Sequence, residues 1–433
     1  MRVVNIAMYI KNIKLSNFRT FEEINIELGM FNVLIGTNAS GKSNFIHAIK
    51  FVKDIAESGL DSAISLQGGI EYARNVQISS SKDLEIEINF GSEPNNRLFI
   101  EEDGDPQKSL GLSISNTKYN LNIGFFKESK RYKYFKETLK MNCKFSELYK
   151  NKDGKLGDPI ELENGEIIIR NIYGEISYEV DTFKNNNIKT FLDKFAPMKF
   201  RRDEKSRSPP KLLIELPLTP LLFDLAFSLR NMSIYDIDPK LAKTATPIVG
   251  KTNLDPDGRN LAIILNNILN NKKNESTFLS LIKDLLPFID GVTVKDTGDK
   301  SLITNLAETY SNKKYIPAHL LSDGTINVTA LVIALYFGGD PIIIEEPERN
   351  IHPYLISKII NMMKDVSERQ RKQVIVTTHN PEVVKYAGIK NILFVKRDEH
   401  GFSKIYRPYE KDEVKVFLEN DMGVDTLYIQ NLL

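Results

Sequence analysis

The chain has 433 residues, a length that predicts two or three lobes of ordinary domain size. Its 58 Lys and Arg residues balance 57 Asp and Glu residues, so the net charge of +1 gives no whole-chain field that favours nucleic acid or an acidic membrane. Cys143 is the only cysteine, which excludes an internal disulfide and a cysteine-based zinc cluster. Because the sequence has no run of about 20 apolar residues and no apolar leader, we expect a cytoplasmic protein without a membrane partner.

The first elements in chain order are predicted strands. Ile10–Leu15 and Ile24–Leu28 alternate apolar and polar side chains, as half-buried strands do, and the corner between them contains Arg19. This hairpin leads into the apolar strand Phe31–Ile35, and the helix predicted next spans Ser43–Ala56.

A candidate phosphate-binding loop connects that strand to that helix. Its pattern, G-x-x-x-x-G-K-[ST], is formed by Gly36, Thr37, Asn38, Ala39, Ser40, Gly41, Lys42 and Ser43. Glycines at both ends let backbone N–H groups surround a polyphosphate, and the following helix adds its partial positive charge. We expect Lys42 to reach the β- and γ-phosphates and Ser43 to bind Mg²⁺. A glycine-rich turn that matches by chance is the alternative.

The middle of the chain is mostly strand, then helix. Alternating segments predict an antiparallel sheet from Leu84–Phe90, Leu110–Ile114, Tyr119–Phe126 and Ile167–Val180. Residues 199–211 form a concentrated basic loop, for which a solvated connection and contact with a phosphate backbone both stay open. A helical lobe is predicted from Pro220–Leu229, Leu261–Leu269 and Phe278–Ile289.

Two acids follow the apolar run Pro341–Ile344. Parallel strands present functional groups at their carboxyl ends, so we expect Glu345 and Glu346 beside the phosphate loop. Adjacent strand residues point to opposite sides, which predicts separate roles: one carboxylate holds magnesium through water, and the other polarises the attacking water. Strand-end charges that only meet solvent are the alternative.

Two more polar positions lie at the ends of predicted elements. His379 follows the strand Gln373–Thr378, where its imidazole could donate to a γ-phosphate or be satisfied within the fold. Ser322 and Gly324 precede the helix Ile326–Tyr336, and such a helix start is an anion site. One chain rarely needs two anion sites for one nucleotide. The second site makes sense if it faces the triphosphate of another protomer.

These motifs together resemble the ATP-binding-cassette (ABC) ATPases. The likeness is to the heads of RecF-type and structural-maintenance-of-chromosomes proteins, and to stand-alone AAA-family ATPases related to the overcoming-lysogenization-defect nucleases. Gly36–Ser43 matches Walker A, Leu321–Thr325 the signature motif, Ile342–Glu346 Walker B, and His379 the switch histidine. The resemblance implies an α/β P-loop fold of ABC-ATPase type with an antiparallel β subdomain and an inserted helical lobe.

The resemblance also implies domain bounds. The nucleotide-binding core would be residues 1–83 and 336–433, and the β-rich subdomain would be 84–185. Residues 186–335 would connect them and end in the signature motif. Gln67 and Tyr235–Asp238 are alternative positions for the glutamine loop of the family.

Site roles follow from the same resemblance. Glu345 would be the magnesium-linked acid, where most of the superfamily has Asp. Glu346 would be the catalytic base, with Lys42 and His379 as further catalytic groups. Arg19 would lie on the adenosine side of the nucleotide. Ser322 and Gly324 would touch the γ-phosphate across a head-to-head dimer.

The function expected from these features is a Mg²⁺-dependent ATPase. Its ATP-bound form would be a homodimer, and its output a switch acting on DNA or an effector nuclease in repair or phage defence. The alternatives are a regulatory ATP-binding module with negligible turnover and a P-loop small-molecule kinase. The nuclease relatives carry a further catalytic domain, whereas about fifty residues follow His379 here, so we expect any cutting to belong to a partner.

Overall fold

The computed structural model covers most of the chain. It describes residues 2–3, 8–79, 81–92, 97–101, 108–126, 132–151, 157–180, 184–185, 188, 210–216, 220–248, 250–312, 314–419, 423–430 and 432. The basic loop predicted at 199–211 therefore lies outside the described residues, except for Pro210 and Lys211. No helix in these ranges is long and apolar enough to cross a membrane.

The structure contains nineteen strands and twelve helices within the described ranges. The strands are β1 Arg2–Val3, β2 Met8–Phe18, β3 Phe21–Glu27, β4 Phe31–Ile35, β5 Leu84–Ser92, β6 Arg97–Glu101, β7 Lys108–Phe125, β8 Tyr132–Tyr149, β9 Ile160–Ile172, β10 Glu175–Val180, β11 Ser233–Tyr235, β12 Thr246–Pro247, β13 Ile289–Asp296, β14 Ser301–Glu308, β15 Tyr315–Pro317, β16 Ile342–Glu345, β17 Val374–Thr378, β18 Ile392–Arg397 and β19 Ser403–Tyr406. The helices are α1 Lys42–Ser58, α2 Leu60–Leu66, α3 Ile70–Ala73, α4 Pro220–Asn231, α5 Pro239–Ala242, α6 Leu261–Leu269, α7 Lys272–Leu285, α8 Asp323–Phe337, α9 Pro353–Arg369, α10 Pro381–Ala387, α11 Asp412–Glu419 and α12 Val424–Ile429.

The chain forms two compact units. The first unit comprises residues 1–28, 44–231 and 397–404, and the second unit comprises residues 29–43, 232–396 and 405–433. Helix α1 begins in the second unit at Lys42 and continues in the first unit from Asn44.

The second unit is built on a six-stranded sheet in the order β11-β16-β17-β4-β18-β19. Strands β11, β16, β17, β4 and β18 pair with one another in parallel, with Tyr235 opposite Ile344 and Ile344 opposite Val376. Parallel strands end at one edge of a sheet, so the residues after β4, β16 and β17 emerge together. This confirms the α/β class.

Helix α8 lies in the core of the second unit. Every residue from Thr325 to Leu335 is buried, because a helix that is apolar on all faces must be surrounded by protein. It starts earlier than predicted, since Ser322 accepts a hydrogen bond from the Thr325 backbone and caps it. A small antiparallel sheet, β12-β14-β13 with β15 on β14, accompanies the predicted helices; the sequence analysis missed it.

The first unit is built on a nine-stranded sheet. The strands from Leu84 onward were predicted as an antiparallel meander, whereas β2 and β3 were predicted as a separate hairpin leading into β4. The main order is β10-β9-β8-β7-β5-β2-β3, and β6 pairs with β7 and β1. Two predictions on strand bounds were wrong. Strand β7 is continuous where two strands, Leu110–Ile114 and Tyr119–Phe126, were predicted. A register shift between Ile114 and Asn116 changes the phase of the apolar and polar alternation there. A two-residue turn at Tyr173 and Gly174, both with positive φ, divides the segment predicted as one strand into β9 and β10.

Candidate nucleotide-binding site

The loop after β4 has the backbone shape that its glycines were expected to allow. A Cβ atom on Gly36 would lie 2.1 Å from the carbonyl oxygen of Val395, so only glycine fits there. Gly41 has φ +120, and Ala39 also has a positive φ of +61, in the left-handed region. Thr37 and Asn38 are exposed at the tip of the loop.

Lys42 lies at the start of α1 with its ammonium group turned back onto the loop. Its Nζ donates to the carbonyl oxygens of Gly36 at 2.7 Å and Thr37 at 3.0 Å. Burial lowers the pKa of Lys42, while the nearby carboxylates of Glu346 and Glu348 act in the opposite direction. The chain therefore places a cation in the loop where phosphate oxygens are expected.

Ser43 and Glu345 lie in contact although 302 residues separate them. The Ser43 hydroxyl donates to Oε2 of Glu345 at 2.8 Å. Strand β17 lies between β4 and β16, so this contact crosses a strand. Burial raises the pKa of Glu345, and the Ser43 hydrogen bond partly offsets that shift. A hydroxyl and a carboxylate are hard oxygen donors, so the pair fits Mg²⁺, which keeps its other positions for water and phosphate.

Glu346 departs from the strand geometry that the sequence suggested. Strand β16 ends at Glu345, and Glu346 has φ +45, so the strand rule that puts adjacent side chains on opposite sides does not apply to it. Its backbone N–H donates to the carbonyl oxygen of Thr377 at 2.8 Å, which holds it at the end of β17. Its Oε1 lies 2.7 Å from Nδ1 of His379. The structure thus brings the two proposed catalytic side chains into direct contact.

Glu348 lies behind this pair. The hydroxyl of Thr378 donates to its Oε1, and its Oε2 is buried without a hydrogen-bond partner among the described residues. Burial raises the pKa of Glu348.

Arg349 and Asp236 are charged residues near the site that the sequence analysis did not select. Nη1 of Arg349 lies 2.9 Å from Oδ1 of Asp236, and Nη2 lies 3.8 Å from Oε2 of Glu346. The sequence feature that could have pointed to Arg349 is its position three residues after Glu346. For Asp236 it is the end of a strand, in the segment considered for the glutamine loop.

The signature stretch forms the start of α8. Ser322 is exposed, and its Oγ accepts from the Thr325 backbone N–H at 3.0 Å. Lys243 donates to the carbonyl oxygen of Leu321 at 2.6 Å and forms an ion pair with Asp323. These bonds hold the turn on both sides of Ser322.

Gly324 is in close contact with the loop that follows Walker B. A Cβ atom on Gly324 would lie 2.6 Å from the carbonyl oxygen of Asn350. The signature turn and residue 350 of the same chain therefore touch through their backbones.

Arg19 belongs to a polar cluster in the first unit. Its Nη2 and Nε donate to Oε1 of Gln67 at 2.6 and 3.1 Å, and its Nη1 donates to Oδ1 of Asn44 at 3.4 Å. Arg19 has φ +46, and burial lowers its pKa.

Comparison with known protein families gives a match over most of the chain. Residues 31–385 match the family whose description is "AAA domain, putative AbiEii toxin, Type IV TA system". A crystal structure of the "SmcHead bound to the C-winged helix domain of ScpA" is 15% identical, covers 92% of this chain and 97% of its own, and has a TM-score of 0.47.

Two curated proteins are similar over a short segment. Endonuclease GajA of Bacillus cereus (strain VD045) is 47% identical over 47 residues, which are 11% of this chain and 8% of that protein. DNA replication and repair protein RecF of Clostridium tetani (strain Massachusetts / E88) is 51% identical over 45 residues, 10% of this chain and 12% of that protein. The match thus spans about a tenth of these relatives. Because the family match extends over most of the sequence and includes the phosphate loop, the chain belongs to this family of AAA-domain proteins.

Proposed function

We propose that the protein is a Mg²⁺-dependent ATP hydrolase that works as a conformational switch. Two side-chain contacts at one edge of the sheet carry this proposal. Ser43 contacts Glu345 at 2.8 Å, and Glu346 contacts His379 at 2.7 Å. A site that only bound nucleotide would need the first pair but not the second. This argues against a purely regulatory ATP-binding module.

The proposed chemistry divides among the chain's own groups. Gly36–Ser43 wraps the phosphates, and Lys42 turns from the loop carbonyls to the β- and γ-phosphates. Ser43 and Glu345 would hold Mg²⁺, whose charge would offset that of the phosphates. Glu346 accepts a proton from the attacking water, and His379 donates a hydrogen bond to the γ-phosphate. Their mutual contact holds both side chains ready for that step.

The active form proposed is a homodimer with two ATP molecules between its subunits. Ser322 is exposed at the N-terminus of α8, where backbone N–H groups favour an anion. One nucleotide rarely needs a second anion site in the same chain in addition to the phosphate loop. We therefore assign Ser322 and Gly324 to the γ-phosphate bound by the partner subunit. Turnover should then rise more than linearly with protein concentration below the dimer dissociation constant.

The adenosine side of the nucleotide is assigned to Arg19. Support comes from Gln67, which fixes the guanidinium with two hydrogen bonds, and from Asn44, which accepts a third. Gln67 is buried, so it acts here as a support for Arg19. The division of the chain at residues 84, 186 and 336 stays a prediction.

The proposed output is a switch that acts on DNA or on a separate effector protein in the cytoplasm. The similar proteins support this direction: one is named an endonuclease, one a DNA replication and repair protein, and the similar head structure is bound to a domain of ScpA. A nuclease partner would supply the cutting chemistry.

Phosphate release from ATP tests the enzymatic part of this proposal. Wild-type protein should release phosphate with Mg²⁺ and stop when EDTA removes the metal. Glu346→Gln should bind ATP with wild-type affinity and release almost none. A wild type that binds ATP without turnover would instead identify a regulatory module, and phosphate transfer to a small molecule would identify a kinase.

A further inference from the structure

Arg349 joins the ends of two neighbouring strands in the second unit. Its Nη1 lies 2.9 Å from Oδ1 of Asp236, the residue after β11, and its Nη2 lies 3.8 Å from Oε2 of Glu346, the residue after β16. β11 and β16 are adjacent and parallel. The guanidinium therefore spans two strand ends with its charge between two carboxylates.

The backbone at Arg349 is held by a different element. The buried side chain of Asn327, on α8, donates to the carbonyl oxygen of Arg349 at 2.6 Å. A Cβ atom on Gly324, one turn earlier on α8, would lie 2.6 Å from the carbonyl oxygen of Asn350. Residues 349 and 350 are therefore held against the N-terminal turns of α8, the helix that Ser322 caps.

We propose that Arg349 is a positioning residue for Glu346, held by Asp236 through its side chain and by α8 through its main chain. The inference rests on the proposed function, because it takes Glu346 as the catalytic base. A planar guanidinium can hold one carboxylate while it orients a second. Movement of the signature turn would then reach Arg349 and change the placement of Glu346 in the same chain.

A set of four variants tests this assignment: Arg349→Met, Arg349→Lys, Asp236→Asn and the double variant Arg349→Met with Asp236→Asn. Arg349→Met should lower kcat about fivefold, the size expected for losing a partly exposed ion pair. The KM for ATP should not change, since the ion pairs of Arg349 are with Asp236 and Glu346 and not with the phosphate loop. Arg349→Lys should restore most of the loss. Asp236→Asn should lower kcat, and the double variant should be no slower than Arg349→Met, because Asp236 acts through Arg349.

Arg369→Met is the matched control. Arg369 lies on α9, is 80% exposed and is 3.5 Å from Asp365, so this variant also removes one exposed ion pair of the second unit. It should keep wild-type kcat, and all variants should keep the wild-type thermal midpoint within about 4 °C.

Three results would overturn the assignment: wild-type kcat in Arg349→Met, a loss confined to KM, or losses in the two single variants that multiply in the double variant. A wild type without ATP turnover would instead remove the proposed function, and the inference with it. Normal wild-type turnover beside an unaffected Arg349→Met would remove the inference alone.

Discussion

Nδ1 of His379 lies 2.7 Å from Oε1 of Glu346, across the ends of the adjacent strands β16 and β17. The contact depends on the turn of the chain at Glu346, whose φ of +45 brings the side chain back over β17. Backbone strain of this kind concentrates at functional sites. The pair therefore marks the place in the second unit where we expect the chemistry.

Glu346→Gln should lower kcat at least about 100-fold, because general-base catalysis contributes about that much or more. ATP affinity should stay at the wild-type value, since the phosphate loop is unchanged. Phosphate release and titration with a fluorescent ATP analogue measure the two quantities. Glu368→Gln, an exposed acid on α9, is the control and should have wild-type kcat. Equal rates in the two variants would contradict the assignment of the base.

Ser43→Ala should raise the Mg²⁺ concentration for half-maximal activity about tenfold, since removing a group that supports a metal site costs about that much affinity. The Ser43 hydroxyl contacts Glu345 at 2.8 Å, so the variant loses an oxygen donor and disturbs a second one. Activity measured over a Mg²⁺ titration shows the shift. Ser357→Ala, on α9, should keep the wild-type curve. An unshifted curve for Ser43→Ala would place the metal elsewhere.

Gly36→Ala should destabilise the protein by about 1–3 kcal/mol, because the new methyl group forces the backbone apart. Its Cβ would lie 2.1 Å from the carbonyl oxygen of Val395, and a backbone atom cannot turn away as a side chain can. Gly250→Ala is the control, since nothing lies within 4 Å of its Cβ position. Thermal denaturation and ATP titration should show losses in Gly36→Ala alone. Equal thermal midpoints for Gly36→Ala and Gly250→Ala would mean that the phosphate loop accommodates the added methyl group without cost.

A buried carboxyl in the first unit predicts a pH-dependent stability. Burial raises the pKa of Glu137 to about 7 from 4.5, although Tyr119, Asn171 and the Leu213 backbone donate hydrogen bonds to it at 2.8, 3.1 and 2.6 Å. The folded state then binds the proton more tightly than the unfolded state. The contribution of Glu137 to the free energy of unfolding is fully present below pH 4.5. It is lost as the pH rises to about 7, a loss of about 3 kcal/mol in all.

Glu137→Gln has no proton to lose, so its free energy of unfolding should fall less between these pH values than that of the wild type. Urea denaturation at several pH values measures the difference. Glu175→Gln, an exposed residue of β10, should follow the wild type. Parallel pH profiles for the wild type and Glu137→Gln would show that Glu137 titrates normally in the folded state.

The elements that form the phosphate edge were predictable, because their patterns are local. Buried parallel strands show as continuous apolar runs. Both predicted bounds of β4 and the predicted last residue of β17 match the structure. Helix α6 has the predicted bounds, Leu261–Leu269. The contact between Ser43 and Glu345 could be expected only from the rule that parallel strands end at one edge.

Other features depend on contacts that no local pattern records. The start of α7 was missed because its first turn is polar, and its cap is the Asn271 side chain, which accepts from the backbone N–H groups of Lys273 and Asn274. The bulge in β7 hid the continuity of that strand. Arg349 and Asp236 share no local pattern, so only their distance in space relates them.

The central claim is that ATP joins two copies of this chain through the signature turn. Light scattering on Glu346→Gln protein, with and without Mg-ATP, measures the mass directly. The experiment is repeated with Ser322→Arg added, and with Ser276→Arg added as a control at an exposed position of α7. We predict that Mg-ATP doubles the mass, that Ser322→Arg prevents the doubling, and that Ser276→Arg does not. A mass that is the same with and without nucleotide, or one that still doubles with Ser322→Arg, would contradict the account.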